Sequence, residues 1–245
     1  GVKEMDTRQE GIARLREIVQ ASKKMVFFGG AGVSTESGIP DFRSQDGLYR
    51  QKYKYPPEYI LSRTFFDRHT EEFFEFYREK MLCLNAQPNA AHYKLAQWER
   101  EGKLAAVITQ NIDGLHQKAG SHAVLELHGS IWRNVCMDCG ALYPAEQIAE
   151  SAGIPRCRCG GVIKPDVVLY EEPLDQAVLA RSVELIEEAD TLIVGGTSLN
   201  VQPAASLIDF FRGKNAVVIN RGAPARSMQG VLFIDGKIGE VLSAV

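Results

Sequence analysis

The residues most able to do chemistry lie in the run Gly30-Ala31-Gly32-Val33-Ser34-Thr35-Glu36-Ser37-Gly38-Ile39-Pro40-Asp41-Phe42-Arg43, directly after the apolar segment Met25-Val26-Phe27-Phe28. A strand that runs into glycines and hydroxyl residues brings backbone N–H groups up to a phosphate, because glycine lets ligand oxygens approach the main chain. A helix starting there would add the positive end of its dipole. The acid, aromatic and arginine that follow extend the same loop toward the sugar and reactive end of a nucleotide. The spacing is not G-x-G-x-x-G, whose third glycine would fall at Thr35, and no G-K-[ST] is present. For the glycines alone, a turn that merely caps a helix is the plainer alternative; the full string tells against it.

A second cluster is made of cysteines. Of five, four form Cys136-x-x-Cys139 and Cys157-x-Cys159, with turn formers Asp138, Gly140, Gly160 and Gly161 around them. In a reducing compartment such pairs read as metal ligands rather than disulfides, and four thiolates fit tetrahedral zinc in a closed, structural site. Cys83 stands alone and reads as a small buried hydrophobe rather than a nucleophile.

Along the chain, apolar runs alternate with helical patterns. Residues 8–22 form an amphipathic helix with Ile12, Leu15, Ile18 and Val19 on one face. Strands are expected at Met25–Phe28, Ala105–Thr109, Val124–Leu127, Val167–Tyr170, Thr191–Val194, Ala216–Ile219 and Val231–Ile234, and helices at 89–101 (with Ala90, Leu95 and Trp98 available for packing), 174–188 and 203–212. Polar or glycine clusters follow most of these strands: Gln110 to His116, His128-Gly129, Gly195 to Ser198, Asn220, and Asp235-Gly236. In an open parallel sheet such ends converge on one crevice. The fold class is therefore α/β: a Rossmann-like parallel sheet with helices on both faces. Two stretches break the alternation. Residues 44–84 are rich in aromatics, broken at Pro56-Pro57, with the main helix starting at Thr70-Glu71-Glu72; residues 129–165 hold the zinc ribbon. The expected division is 1–43, 85–128 and 166–245 as the nucleotide-binding domain, with the helical and zinc-ribbon insertions packed together as a smaller domain over the crevice.

The whole chain agrees with an enzyme of this kind. It has 245 residues, 45% hydrophobic and 24% charged, with a formal net charge of −3. The charge gives no case for nucleic acid or an anionic membrane as the main ligand. No apolar run reaches the length of a membrane span. The polar start, Gly1 to Asp6, has no signal-peptide core and reads as a trimmed beginning, so a cytoplasmic enzyme is expected.

Taken in order, Gly30-Ala31-Gly32-Val33-Ser34 with Gly38-Ile39-Pro40-Asp41-Phe42-Arg43, Thr109-Gln110-Asn111-Ile112-Asp113-Gly114-Leu115-His116, Leu127-His128-Gly129, the cysteine quartet, Gly196-Thr197-Ser198-Leu199 and Val218-Ile219-Asn220 resemble the sirtuins of bacterial type. These are NAD-dependent protein lysine deacylases, and the resemblance runs from about Ala21 to Ile238. It implies NAD as co-substrate and zinc as a structural metal on Cys136, Cys139, Cys157 and Cys159. It places the Ala31–Thr35 loop on phosphates and ribose, Phe42 and Arg43 near the nicotinamide ribose and diphosphate, and Gln110 on the nicotinamide ribose. Ile112 and Asp113 would form the nicotinamide pocket. Thr197 and Ser198 would meet phosphate or adenosine ribose, Asn220 the adenine ribose, and Asp235 to Ile238 the adenine. Val167 to Leu169 and the Leu199–Gln202 loop would flank an acetyl-lysine peptide bound by strand addition. His128 and Asn111 would be catalytic. Histidine titrates near neutrality and can take a proton from a ribose hydroxyl. The implied reaction is attack of the acetyl-lysine carbonyl oxygen on the ribose, loss of nicotinamide, and release of lysine and O-acetyl-ADP-ribose. His116 reads as structural, and a monomer is expected.

The chain departs from the family pattern in places. Gly29 stands where many members have threonine, and Tyr170-Glu171-Glu172 where many have Phe-Gly-Glu. Members that remove succinyl groups carry Tyr-x-x-Arg where this chain has Phe74 and Tyr77, with Arg78 one position off, so neutral acyl groups are expected. An ADP-ribosyltransferase or a longer-chain deacylase on the same fold, and a nucleotide-binding module without turnover, are the alternatives.

Overall fold

The structure is a computed structural model that describes residues 2–41, 53–199, 202–222 and 230–245; Phe42 and Arg43, and residues 200 and 201 of the Leu199–Gln202 loop, lie outside the described residues. Its frame is a six-stranded, wholly parallel sheet in the order β3-β2-β1-β7-β8-β9, made of β1 (Met25–Gly29), β2 (Leu104–Thr109), β3 (Val124–Glu126), β7 (Thr191–Gly195), β8 (Asn215–Asn220) and β9 (Leu232–Asp235). The central strands read as continuous apolar runs because both faces are covered, as parallel sheets require.

Alternation along each strand feeds two cores. Met25 and Phe27 of β1, with Val107, Ile193, Val217 and Ile234, pack under Leu15, Ile18 and Val19 of helix Val2–Ala21, Leu95 and Trp98 of helix Ala90–Arg100, and the C-terminal helix Ile238–Ser243. Val26 and Phe28, with Ile108, Leu192 and Val218, face helix Gln176–Glu188 and the segment Ala204–Phe210. Burying each such large side chain contributes roughly 1.5–3 kcal/mol. In helix Ala90–Arg100 it is Ala91, not Ala90, that is buried.

Three expectations are corrected. Val167 to Tyr170 does not rejoin the main sheet. Val167 ends β6 (Ile163–Val167) in a separate antiparallel sheet, β5-β4-β6, with β4 (Gly129–Cys136) and β5 (Leu142–Pro144), and pairs with Gly129. Tyr170 bridges to Ser62. The expected helix over 203–212 is a 3-10 helix, Ala204–Phe210. The glycine loop opens no α-helix; it forms two 3-10 turns, Ala31–Val33 and Thr35–Ser37.

A third core joins the aromatic stretch to the cysteine module. Phe65 and Phe66 of helix Arg63–Arg68, and Phe73, Phe74 and Phe76 of helix Thr70–Phe76, pack with Tyr77, Ile131, Cys136, Ile148, Ile163 and Val167. The Thr70 helix widens into a π-helical turn over Tyr77–Met81. Among the described residues no helix is long and apolar enough to cross a membrane.

Candidate functional site

Parallel register brings the strand ends into line. Gly29 of β1 is opposite Thr109 on one side and Gly195 on the other, and Gly195 is opposite Ile219. The chain leaves β1 toward β2 on one side and reaches β7 on the other, so the strand order reverses here, where a crevice opens beyond the carboxyl ends. A cleft of about 920 Å³ occupies this place. Ala31, Thr35, Gln110, Asn111, Ile112, Asp113, His128, Thr197, Ser198, Asn220 and Ile238 all lie on its wall. Asp235 does not; it sits at the end of β9, where its carboxylate accepts from the Gly222 N–H at 3.1 Å.

The glycines at the switch point serve backbone packing. Gly32 N–H donates to the Gly196 carbonyl at 2.7 Å, and a Cβ on Gly32 would lie 2.7 Å from Gly196 Cα. The loop is tied down elsewhere as well. Asn89 Nδ2 donates to the Val33 carbonyl at 2.8 Å and to Ser37 Oγ at 2.9 Å, and Glu36 accepts from the Gly239 N–H at 2.7 Å. Asn89 also caps helix Ala90–Arg100 in a box with His92, a pairing that the sequence reading passed over. The signal was present: an asparagine, a preferred N-cap residue, at the first position of the expected 89–101 helix, which the structure begins one residue later at Ala90.

From the β2 end, Asn111 Nδ2 donates to the Gly30 carbonyl at 2.8 Å and to Ser34 Oγ at 3.2 Å, and Ser34 Oγ donates to Asp113 Oδ2 at 2.6 Å. Asp113 Oδ1 accepts from the Leu115 N–H at 2.9 Å. Burial raises the Asp113 carboxyl above its usual range, while the Ser34 and Leu115 bonds oppose this by favouring the ionised form. Ser34 is thus the link between Asn111 and Asp113. Gln110 accepts at Oε1 from Thr197 Oγ1 at 3.3 Å, whereas its buried Nε2 has no partner among the described residues. An orphaned buried amide on a cleft wall marks the place of a polar ligand. Asn220 Nδ2 donates to the Thr197 carbonyl at 3.1 Å, which holds the β7 and β8 ends together.

His128 follows β3 and stands on the cleft wall, with Nδ1 2.9 Å from the Gln110 carbonyl oxygen. A carbonyl only accepts, so Nδ1 carries the proton and the neutral ring has its lone pair on Nε2. His116 is of another kind. It is 1% exposed beside His92, with ring centroids 4.8 Å apart, and burial lowers the two to about 3 and about 4 respectively. Cys83 is half-buried and lines the cleft, so it is not simply a core residue. Burial and the nearby Asp113 charge push its thiol up, away from nucleophile behaviour.

The four other cysteines meet as expected from their spacing. Their sulfurs all lie within 4.8 Å of one another, with Cys136 and Cys159 3.4 Å apart and Cys139 and Cys157 3.6 Å apart. Sulfurs about 2.3 Å from a central zinc in a tetrahedron would be spaced similarly. Backbone N–H groups of Asp138 and Cys139 point at Cys136 Sγ and that of Gly161 at Cys159 Sγ, while Tyr143 Oη donates to Cys157 Sγ at 2.9 Å. Such donors favour thiolates, so the cluster fits zinc.

The departure at Glu171 has a physical resolution. It adopts φ +79°, normally glycine territory, but its carboxylate accepts from Thr64 N–H at 2.9 Å and Thr64 Oγ1 at 2.7 Å. Those bonds tie the loop after β6 to helix Arg63–Arg68. Phe74 and Tyr77 are fully buried and off the cleft wall. Arg78 is held elsewhere by Ile148 O, Ser151 Oγ and Gly153 O, at 2.9, 2.9 and 2.6 Å.

The Sir2 family model matches residues 30–203. An "NAD-dependent protein deacetylase" of Clostridium acetobutylicum is 59% identical over 96% of this chain and 97% of its own, and one of Clostridium perfringens is 55% identical over 96% and 98%. Among solved structures, a Sir2 homologue in complex with NAD superposes with a TM-score of 0.85 at 40% identity, covering 94% of this chain and 90% of that one. A Sir2 protein with a deacetylated peptide and 3′-O-acetyl-ADP-ribose superposes with a TM-score of 0.86 at 37% identity, covering 96% of each. The chain belongs to the Sir2 family.

Proposed function

We propose that this chain is an NAD-dependent protein lysine deacetylase, which moves the acetyl group of an acetyl-lysine onto ADP-ribose and releases nicotinamide. The observation that carries the catalytic assignment is the His128 Nδ1 contact with the Gln110 carbonyl, which leaves Nε2 as the base nitrogen on the cleft wall. NAD supplies the ribose carbon at which the acyl oxygen is taken up. His128 Nε2 takes the proton of the attacking ribose hydroxyl, and the Gln110 carbonyl steadies the imidazolium through Nδ1–H.

The other residues bind and orient. Backbone around Ala31 and Thr35 meets the phosphates, and Phe42 and Arg43, next in the same sequence motif, serve the nicotinamide ribose and diphosphate. The orphaned Gln110 amide meets the nicotinamide ribose. Asp113, with Ile112 beside it, accepts from the carboxamide, and Asn111 keeps its catalytic place beside the ribose while its amide holds the loop through Gly30 and Ser34. Thr197, Ser198 and Asn220 take phosphate and the adenosine ribose, with Ile238 near the adenine. Asp235 acts from behind, through Gly222, rather than on the cleft wall. An acetyl-lysine peptide adds as a strand between the Val167–Leu169 segment and the loop that begins at Leu199. Zinc on the cysteine quartet holds the β4-β5-β6 module and takes no part in the reaction. A monomer in the cytoplasm suits thiols kept as metal ligands; gel filtration with light scattering tests the former.

The decisive experiment is His128→Ala, assayed by mass spectrometry on an acetyl-lysine peptide with NAD. Deacetylation should fall by at least about 10²-fold, the lower range for a lost general base, with the melting temperature preserved. Turnover within a few-fold of the unaltered protein removes His128 from the role. Transfer of label from NAD to protein outpacing deacetylation would make the chain an ADP-ribosyltransferase instead.

A further inference from the structure

We infer that Trp132 is a positioning residue for the nicotinamide end of the cleft: its indole clamps the turn that presents Asp113. The inference rests on the role given to Asp113 above. Trp132 lies on β4, in the antiparallel sheet of the cysteine module, not on the parallel sheet that carries the cleft. Its Nε1–H donates to the Asp113 main-chain carbonyl at 2.9 Å. One residue earlier, Ile131 N–H donates to the Ile112 carbonyl at 3.0 Å.

The indole is seated directly on the turn. Gly114 has φ +72°, and a Cβ there would lie 2.7 Å from Trp132 Cδ1 and 2.8 Å from Nε1. The division of labour is plain. Groups from the glycine loop and the following helix hold the side chains of the turn, through Gly30 and Ser34 to Asn111 and through Ser34 and Leu115 to Asp113. Its two carbonyls at 112 and 113 are held from β4. That strand ends at Cys136, one of the four clustered cysteines, and from Arg133 to Cys136 it pairs with β5 and β6, after an irregular stretch between Gly129 and Asn134 that carries Ile131 and Trp132. Asp113 therefore faces its ligand in a position set jointly by the two sheets. A side chain outside the glycine loop and the strand-end motifs thereby tunes how tightly the nicotinamide end is held, with no direct effect on the adenosine end.

The test uses the full chain with Trp132→Phe, which keeps a ring on the turn and removes the N–H. Losing one neutral hydrogen bond at a positioning contact should raise both the nicotinamide inhibition constant and the KM for NAD by about three- to tenfold. Affinity for ADP-ribose, which lacks nicotinamide, should stay within about twofold, a loss too small for any whole hydrogen bond. Zinc content should not change. A purely structural role would weaken ADP-ribose along with NAD, so parallel losses overturn the inference, as does an unchanged nicotinamide constant.

A second measurement leaves Trp132 in place. The chain has two tryptophans, and Trp98 is buried in the core of helix Ala90–Arg100, so Trp98→Phe leaves Trp132 as the sole indole emitter. Its emission should change on titration with nicotinamide by more than that of Trp98 in the Trp132→Phe protein. Equal responses from the two single-tryptophan proteins count against the clamp. Should the unaltered protein show no deacetylation, the proposed function fails, while NAD and ADP-ribose titrations of the same emission still decide whether the clamp exists.

Discussion

Replacing Gly32 with alanine tests whether the glycine loop is defined by backbone packing or only by its conformational freedom. The added methyl would lie 2.7 Å from Gly196 Cα, 2.9 Å from its carbonyl oxygen and 3.0 Å from its carbonyl carbon. Carbon atoms prefer about 3.5–4.0 Å, so the loop and the β7 end must part by roughly 1 Å. Neither side can yield through a rotamer, since every atom in the clash is main chain. The separation also stretches the 2.7 Å Gly32-to-Gly196 hydrogen bond. Overpacking of this kind costs about 1–3 kcal/mol. For a chain of this size each kcal/mol lowers the melting temperature by about 2–4 °C, which gives a drop of about 2–12 °C.

The functional effect should exceed the thermal one. A displacement of about 1 Å in a positioning element can cost about 10²-fold in rate, and this loop is read as the phosphate cradle. The assay is kcat/KM for NAD on an acetyl-lysine peptide, run beside thermal unfolding. Gly102→Ala is the control: at φ +76° with open space around the new methyl, it should lose stability but leave NAD kinetics unchanged. A Gly32→Ala protein that melts within about 1 °C of the unaltered chain and turns over NAD within about twofold would refute the packing argument, because it predicts at least about 1 kcal/mol.

Three further outcomes are expected. Elemental analysis should find one zinc per chain, and chelation should loosen the β4-β5-β6 module and depress activity with it, since metal binding at a structural site is coupled to folding; active protein without zinc would contradict this. Acetyl-lysine should exceed succinyl-lysine in kcat/KM on one peptide sequence: burying an unpaired carboxylate costs several kcal/mol, Phe74 and Tyr77 are off the cleft wall, and Arg78 is bound elsewhere, so an equal or greater succinyl value would show that another cation, such as the cleft-lining Lys80, reads the acyl chain. Stability should fall as pH drops below about 6.5, where the unfolded chain protonates its histidines, toward about 4 and about 3, where folded His92 and His116 do so. The folded state binds fewer protons throughout that window, so acid favours unfolding; denaturant titrations at pH 7 and 5 check this, and a His116→Phe protein with an undiminished pH slope would clear His116 of any part in it.

The parallel sheet was legible because its strands are apolar on both faces and end in polar clusters. Met25–Phe28 and Thr191–Val194 could be read as strands without any knowledge of their partners. Val167-Val168-Leu169-Tyr170 shows the limit of that logic. A β-branched apolar run says that a segment is extended and buried, not which sheet it joins. Here pairing with Gly129 is decisive: a Cβ on Gly129 would lie 2.0 Å from the Asp166 carbonyl oxygen, an approach that only glycine allows and that no periodicity announces. The short C-terminal helix Ile238–Ser243 escaped for a related reason. It has six residues and no side-chain cap, and is held by contact of Val241 and Leu242 with the first core.

The candidate site divides along the same line. Residues proposed for a chemistry of their own stand out by type and position: the cysteine quartet by spacing, His128 by its place after a strand, Gln110 and Asn220 as polar strand ends. Residues whose role consists of holding another could not. Ser34 was visible as one hydroxyl in the glycine loop, but its value lies in joining Asn111 to Asp113, residues brought to it only when β1 and β2 pair. Trp132 carries no signal in the sequence; its contact exists only because the antiparallel sheet lays its N–H against a turn belonging to the parallel one. Both are distance-dependent roles, set by tertiary register rather than by local pattern. The contacts of Ser34 and Trp132 therefore follow from how the strands and the two sheets pair, which the motifs themselves do not encode.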